Sequence, residues 1–317
     1  MLKYLAGRIV GMLPAVFLLV FFVVVLIQLI PGNIIDLMLD QSSSPDIATR
    51  EALTRELGLD KPLPLRYLDY MGHLVRGDFG RSLWTNKSVT EMIRIYAPPT
   101  IQLAVVSIII GAFSGIVLGV VSAVTQDSWV DYLLRSLAIA GISIPNFAIA
   151  TSVVIFPAIL WGVAPNLNYV SITENPWENL KIIWLPGAIL ALGLSTSLMR
   201  LMRTTMLDVL RQDYIRTARA KGVSEFRIIA RHAVRNAVIP VITLLGLQIA
   251  FLLGGSVIVE TIFSIPGVGR LLVGAIGKRD YPIVQGIVVV IGLFVMVTNL
   301  VVDMSYGLLD PRIKMSG

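Results

Sequence analysis

The side chains most capable of chemistry in this sequence are basic, and they cluster in one segment. Between Arg200 and Arg235 the chain carries nine of its 26 lysines and arginines, against three acidic residues. Cationic groups at this density bind anionic partners, either lipid headgroups or the acidic surface of another protein. Long apolar runs flank the segment on both sides, so we interpret it as a surface at the inner face of a membrane.

The residue types needed for catalysis or metal binding are scarce. The chain has no cysteine and only two histidines, His73 and His232, which excludes disulfides and thiolate metal sites. The sequence contains no G-x-S-x-G, no H-E-x-x-H and no G-x-x-x-x-G-K-[ST] loop that would cradle ATP phosphates. We therefore predict that the chain is not an enzyme, with no catalytic residue, no metal ligand and no cofactor of its own.

The composition indicates that membrane helices carry the basic segment. Hydrophobic residues make up 56% of the chain and charged residues 15%, against about 25% charged in soluble domains. Six windows lack Asp, Glu, Lys and Arg, and each can hold a span of roughly 17–25 residues. They are 9–35, 95–126, 136–173, 182–199, 236–259 and 281–302. We predict an all-α integral membrane protein with six transmembrane helices, the first of them uncleaved.

The window 136–173 is longer than one span needs. We predict one helix followed by a short external segment, and two helices are the alternative. Pro145 lies inside this window and frees a backbone carbonyl, which needs another partner or water.

Charge asymmetry predicts that both termini are cytoplasmic. With the N-terminus inside, the inner segments hold 14 basic residues and the two short outer loops hold four. This topology explains the net charge of +6, so we predict no nucleic-acid partner. The predicted organisation is an N-terminal segment with the first span (1–31), an extracytoplasmic subdomain (32–94) and a core of five spans (95–317).

The extracytoplasmic loop is predicted to contain two helices. We predict the first helix over residues 45–58, where Ser44 can cap its N-terminus and Gly58 ends it. Residues 61–76 carry apolar side chains at a helical spacing; these are Leu65, Tyr67, Leu68, Tyr70, Met71 and Leu74. This subdomain packs as a cap on the spans, serves as a platform for an external partner, or does both.

Uncharged polar residues inside the windows are the candidates for a transport pathway. Among these residues we single out Gln102, Asn146, Gln248 and Asn299 as candidates. The alternative is that these side chains only pack between helices. Gly111, Gly115 and Gly119 form a small-residue face in the second window, which predicts close helix packing within the chain or against another.

The basic segment reads as helix, glycine turn, helix. We predict a helix over 206–221 with Met206, Leu210, Tyr214, Thr217 and Ala218 on one stripe. Gly222 suits the left-handed position that ends a helix, and Ser224 can cap the next one. In that helix the predicted apolar face is Val223, Phe226, Ala230, Ala233, Val234 and Ala237, and Arg227, Arg231 and Arg235 lie on another face. An interfacial helix bound to anionic lipid is the alternative to a protein docking surface.

The amino-acid sequence of this segment resembles a known motif. Arg216-Thr-Ala-Arg-Ala-Lys-Gly222, followed 17 residues later by Ile239-Pro240, is similar to the EAA loop of ABC-importer permeases. That motif is roughly E-A-A-x-x-x-G with an I-x-L-P ending. Arg216 and Thr217 depart from it, whereas Ala218 and Gly222 match. The variant Tyr-Ile-Arg-Thr-Ala-Arg-Ala-Lys-Gly is similar to the peptide and nickel branch of the family.

Further stretches resemble the same branch over nearly the whole chain. They are LGLDKPL (57–63), GDFGRS (77–82), VETIF (259–263), PGVG (266–269), RDYPIVQG (279–286) and LDPR (309–312). Together and in this order, they are similar to the first permease subunit of dipeptide and oligopeptide importers.

The resemblance implies a type I ABC-importer permease fold in the bacterial inner membrane. It implies a second permease subunit in a heterodimer, two cytoplasmic ABC ATPases that bind ATP and Mg, and an extracytoplasmic substrate-binding protein. Segment 204–236 would be the coupling loop that sits in a groove of the ATPase. Its candidate contacts are Arg216, Thr217, Ala218, Gly222, Ser224, Glu225, Phe226, Arg227 and Arg231.

Peptides are the substrate that the resemblance favours, with nickel complexes, glutathione and sugars as alternatives within the family. An ion-coupled secondary transporter is the alternative outside it. Such transporters usually place ionisable side chains within the membrane. The six windows contain none, and Asp303 lies beyond the end of the last window, so we expect the energy source to be a partner ATPase.

Overall fold

The computed structural model describes residues 2–29, 54, 60–163 and 168–309, and these are almost entirely helical. The first helices are α1 (Leu2–Leu29), α2 (Leu63–Val75), α3 (Val89–Val124), α4 (Trp129–Ser143), α5 (Asn146–Trp161), α6 (Pro176–Leu210) and α7 (Asp213–Ala220). Helix α8 (225–262) joins Glu225–Arg227, a π-helical stretch over Ile228–Ala233, and Val234–Ile262. The last two are α9 (Val268–Gly277) and α10 (Tyr281–Leu309). The predicted helix over 45–58 lies outside the described residues, apart from Thr54.

Five of the described helices are long and apolar enough to cross a membrane, and the count becomes six if α4 and α5 together form one span. This agrees with the six predicted spans. The prediction of a single helix within 136–173 is wrong, because α4 and α5 meet at an angle of 91°. Pro145 is the physical reason: it is extended, with φ −61° and ψ 139°, and a proline has no N–H to continue the helical hydrogen bonds.

Contacts divide the chain into two units. The first comprises Met1–Ala97 and Leu271–Val297. In this unit α2 packs on α1, as the amphipathic pattern of 61–76 predicts. Tyr67, Tyr70, Met71 and Leu74 lie against a core that contains Val20, Val23 and Val24. Leu65 and Leu68, which share the predicted pattern, are instead 51% and 61% exposed.

The second unit comprises Pro98–Arg270 and Thr298–Ser316. Its centre is α6, where fully or almost fully buried apolar side chains recur at every fourth position and form one stripe. They are Leu190, Leu194, Leu198, Met202 and Met206.

The predicted glycine face on α3 packs against this stripe within the chain. An added Cβ at Gly111 or Gly115 would come within 2.7 or 2.8 Å of Leu194 or Leu198, and one at Gly119 within 2.6 Å of Met202. Glycine is therefore required at these positions so that the two helix backbones can approach closely.

The outer surfaces of several helices are apolar. Phe113 on α3 is 72% exposed and Ile159 on α5 is 74% exposed. Contiguous apolar surface of this kind is covered by lipid or by other subunits in a membrane protein, so the exposed faces fit membrane insertion.

Candidate functional site

The basic segment forms a sharp corner between α7 and α8. Gly222 adopts φ +76°, the left-handed conformation that glycine tolerates best. The N–H groups of Gly222 and Val223 close the turn on the carbonyls of Arg219 and Ala218 at 2.9 and 3.2 Å. A Cβ at Gly222 would meet nothing within 4 Å, so the glycine is needed for its backbone angle and not for space. The predicted corner is confirmed.

The helix before the corner is shorter than predicted. Helix α6 ends at Leu210, and Gln212 is extended, with φ −70° and ψ 148°. The prediction of one helix over 206–221 is therefore wrong, and so is its single stripe. Met206 belongs to the core of α6, whereas Tyr214 and Thr217 on α7 are exposed and Ile215 is buried. Because the chain is extended at Gln212, residues on either side of it do not share one helical face. A helical pattern continued across the break therefore assigns residues to the wrong face.

The helix after the corner carries a second change of phase. Ile228 and Ala233 are both fully buried, and they are five positions apart. This spacing suits the π-helical stretch, where hydrogen bonds join residues five apart. As a result the predicted apolar face is partly wrong: Ala233 and Ala237 are buried, but Ala230 is exposed and Phe226 is 82% exposed.

The candidate contact residues gather around this corner. Glu225 accepts two hydrogen bonds from Arg219, at 2.7 Å from Nε and 3.3 Å from Nη2, which joins α7 to the start of α8. Ser224 occupies the cap position, but its side chain makes no capping hydrogen bond, so that part of the prediction is wrong. Arg227, Arg231 and Arg235, which are predicted to lie on a face apart from the apolar one, are all exposed.

On α7, Arg216 is exposed and lies 3.6 Å from Asp213. The Thr217 hydroxyl donates to the Asp213 carbonyl at 2.9 Å, and Ala218 is half-buried. The corner therefore exposes the phenyl ring of Phe226 and the guanidinium groups of Arg227 and Arg231. This combination suits a groove on another protein with apolar and acidic parts.

The corner is tied to the spans on either side of it. The Asn236 amide on α8 donates to the Tyr214 hydroxyl on α7 at 3.0 Å. The Thr205 hydroxyl on α6 donates to the Ala237 carbonyl on α8 at 3.0 Å. These two contacts join α7 to α8 and α6 to α8.

Sequence reasoning missed a buried ion pair in the same unit. Asp131 on α4 is completely buried and accepts hydrogen bonds from Arg203 on α6 and from Ser122 on α3. Ser128 and Asp131 carry a local signal, because the Ser128 side chain caps α4 through the Asp131 N–H. Nothing local pairs Asp131 with a residue 72 positions later.

Two of the four candidate pathway residues come together. Asn146, the first residue of α5, and Gln248 on α8 line one cavity of about 160 Å³. The other described lining residues are Leu190, Gly193, Leu194, Leu252 and Gly255. Gln102 lies elsewhere, where its amide donates to the Asn179 side chain, and Asn299 is exposed on α10.

The structure also assembles motif stretches that are distant in sequence. Glu260 is fully buried and accepts from the Thr100 hydroxyl at 2.8 Å and from the Arg270 N–H at 3.0 Å. Gly267 and Gly269 leave no room for a Cβ beside its carboxylate. This explains why VETIF and PGVG occur together: the glutamate holds the start of α9.

In the first unit, GDFGRS and RDYP meet in a similar way. The Ser82 hydroxyl donates to Asp280 at 2.6 Å, and the Leu83 N–H donates to the same carboxylate at 3.1 Å. The Trp84 indole N–H donates to the Lys278 carbonyl at 2.9 Å. These contacts are structural, and among the described residues no group of acidic and histidine side chains could hold a metal ion.

Comparisons with known proteins agree with this architecture. The family described as binding-protein-dependent transport system inner membrane component matches residues 115–315, and the model of its N-terminal region matches residues 1–104. A Brucella suis protein named as a peptide permease is 38% identical over 100% of both chains. A Brucella abortus protein named as a peptide transport system permease is 39% identical over 97% of both chains. The glutathione transport system permease protein GsiC of Pectobacterium atrosepticum is 37% identical over 99% of both chains.

Solved structures share the fold. A chain of the MetNI methionine ABC transporter, in an inward-facing conformation, aligns with a TM-score of 0.55 at 16% identity, covering 69% of this chain and 96% of that one. A chain of an amino acid ABC transporter crystallised with histidines aligns with a TM-score of 0.52 at 13% identity, covering 68% and 93%.

Proposed function

Because this chain belongs to the family of inner membrane components of binding-protein-dependent transport systems, we propose that it forms half of the translocation pathway of an ATP-driven peptide importer. It is an all-helical, multi-pass protein of the bacterial inner membrane. It is a permease subunit and not an enzyme, since ATP hydrolysis in such importers is carried out by separate ATPases.

The exposed corner at Gly222 is the observation that supports coupling to an ATPase. Phe226 is 82% exposed and lies four residues after the turn at Gly222. In the proposed topology a cytoplasmic protein can contact this ring. Exposing a phenyl ring to water forgoes roughly 1.5–3 kcal/mol of burial free energy, which a docking partner can recover. Arg227 and Arg231 follow on the next turns of α8, are exposed, and would supply charge for an acidic rim.

The corner transmits motion because it is held on both sides. Arg219 and Glu225 brace the turn, Tyr214 and Asn236 join α7 to α8, and Thr205 joins α6 to α8. When ATP binding closes the ATPase dimer, a groove that grips Phe226 would displace these two spans as a pair. Alternating access then follows from the tilt of α6 and α8 around the pathway.

The remaining partners follow from this assignment. We propose a second permease subunit that completes the pathway, two cytoplasmic ATPases that bind ATP and Mg, and an extracytoplasmic binding protein that delivers the substrate. Both termini and segment 204–236 then face the cytoplasm, and segment 32–94 faces outward with the binding protein. Peptides are the proposed substrates because the relatives are named for peptides and for glutathione, itself a tripeptide.

The test is to purify the tagged chain in mild detergent, identify the proteins that accompany it, and reconstitute them in proteoliposomes. We expect a second permease, ATPases and a binding protein, and peptide uptake that requires ATP. Uptake driven by a proton gradient with the isolated chain, and without any ATPase, would instead indicate an ion-coupled secondary transporter.

A further inference from the structure

The side-chain carboxamides of Asn146 and Gln248 lie in the cavity between α5, α6 and α8. Asn146 and Gln248 both line it and both are half-buried. Within the described ranges neither amide forms a hydrogen bond with another protein group. The two other candidate amides differ, because Gln102 is bonded to Asn179 and Asn299 does not line the cavity.

The residues that line the cavity combine hydrogen-bonding carboxamides with apolar side chains. A carboxamide offers two N–H donors and a carbonyl acceptor, which matches the N–H and C=O of a peptide group. Apolar side chains of Leu190, Leu194 and Leu252 form the walls, and no described lining residue carries a charge. Polar groups at a partly apolar site fix the orientation of a ligand, whereas the apolar walls accept side chains of varied shape.

Glycine leaves open space on the wall. A Cβ added at Gly193 would meet nothing within 4 Å, and one at Gly255 would approach only Leu190, at 3.8 Å. This contrasts with Gly111, Gly115 and Gly119, where helix packing fills the space. The two cavity glycines therefore leave space for a ligand.

We propose that Asn146 and Gln248 bind the backbone amide groups of a peptide in transit, and that the cavity recognises neither the charged termini nor particular side chains. This inference rests on the proposed function, because it assigns a substrate chemistry to the same pathway. A cavity of about 160 Å³ is close to the ~150 Å³ that accommodates one small ring in other proteins. It therefore holds about one residue of the peptide at a time.

A cysteine-labelling experiment tests the site directly, because the native chain has no cysteine. Gly193→Cys places a thiol in the cavity. Gly254→Cys is the matched control on α8: its Cβ also meets nothing within 4 Å, and Gly254 is not among the described lining residues. The complex of permeases and ATPases is placed in nanodiscs without the binding protein and labelled with a maleimide.

We expect tetra-alanine, at saturation, to slow labelling of Gly193→Cys roughly tenfold and to leave Gly254→Cys unchanged. The same peptide with an acetylated N-terminus and an amidated C-terminus should protect equally, because the lining carries no charge. A backbone N-methylated tetra-alanine should not protect, because it lacks the N–H donors. Protection that requires free termini, or equal protection by the N-methylated peptide, would overturn the proposal.

Uptake by the complete reconstituted importer separates this inference from the proposed function. Asn146→Leu and Gln248→Met replace the amides by apolar groups of similar shape, and each should lower peptide uptake by up to roughly tenfold, the effect of one lost hydrogen bond. Gln126→Met, at an exposed amide that is not among the described lining residues, should stay within twofold of wild type. If the wild type imports peptides and the double variant Asn146→Leu, Gln248→Met does so equally well, this inference fails while the proposed function stands. If the wild-type complex imports no peptide at all, the proposed function fails.

Discussion

Arg203 binds Asp131 at two points: its Nε lies 2.8 Å from Oδ1 and its Nη2 lies 2.6 Å from Oδ2 of the carboxylate. Asp131 is fully buried, and the Arg203 side chain is 18% exposed. The pair joins α4 to α6, the helix that precedes α7 and the glycine corner. It therefore anchors α6, one of the two helices that the proposed coupling would displace.

Removing one member of this pair should destabilise the protein more than removing both. Asp131→Asn leaves the mostly buried Arg203 without its anion, and a broken buried pair typically costs about 3–5 kcal/mol. The double variant Asp131→Leu, Arg203→Met should recover much of the loss, because an apolar pair needs no desolvation of charge. Thermal denaturation of the purified complex measures both. Arg200→Met, an exposed arginine on the same helix, is the control and should change the midpoint little.

A β-branched residue at Gly222 should uncouple ATP hydrolysis from transport. Gly222→Val forces a residue that avoids positive φ into a backbone with φ +76°, a strain of roughly 1–3 kcal/mol. Gly222→Asn is the matched control, because asparagine tolerates the left-handed region. We expect the ratio of peptide uptake to ATP hydrolysis to fall severalfold in Gly222→Val and to stay near wild type in Gly222→Asn. Equal ratios in the two variants would argue against a role for the corner's geometry.

Truncating Phe226 should weaken partner binding without destabilising the permease. The ring is 82% exposed, so Phe226→Ala removes almost no internal packing. If the ring is an anchor in an ATPase groove, its truncation should cost on the order of 2 kcal/mol of association, about thirtyfold in affinity. Quantitative co-purification of the ATPases measures the loss. Val75→Ala serves as the control, because Val75 is also 82% exposed but lies on α2, in the segment proposed to face outward.

The glycine face of α3 should tolerate no added methyl group. In Gly115→Ala the new Cβ would lie 2.8 Å from the Ser195 carbonyl oxygen and 2.8 Å from the Leu198 Cβ, so α3 and α6 must separate. Overpacking of this kind typically costs about 1–3 kcal/mol. Gly193→Ala, on α6 beside open space, should be close to neutral. The thermal midpoints of the two variants in detergent give the comparison.

The sequence alone predicts those features whose cause is local. Charge-free windows locate the spans because hydrocarbon excludes charge, and Gly222 marks the corner because one residue's φ decides it. Pro145 marks the position where the helix breaks, but no local pattern gives the 91° angle between α4 and α5.

Other features depend on contacts that no local pattern contains. The π-helical stretch shifts the buried positions to Ile228 and Ala233 and turns Phe226 outward, so a regular 3.6-residue period misplaced it. The bonds between Asp131 and Arg203 and between Arg219 and Glu225 join residues on different helices. Likewise, only the fold distinguishes Asn146 and Gln248, which share a cavity, from Gln102 and Asn299, which do not.

Docking of the Gly222 corner on a cytoplasmic ATPase can be tested with a single cysteine. In Ser224→Cys, an exposed position two residues before Phe226 that leaves the ring in place, the new thiol is the only one in this chain. A short bifunctional thiol–amine cross-linker is added to the intact complex. We expect one cross-linked product that contains this chain and an ATPase subunit, with a yield that changes on ATP binding. Efficient labelling of the same thiol by a membrane-impermeant maleimide added outside intact cells, with no cross-link to an ATPase, would contradict it.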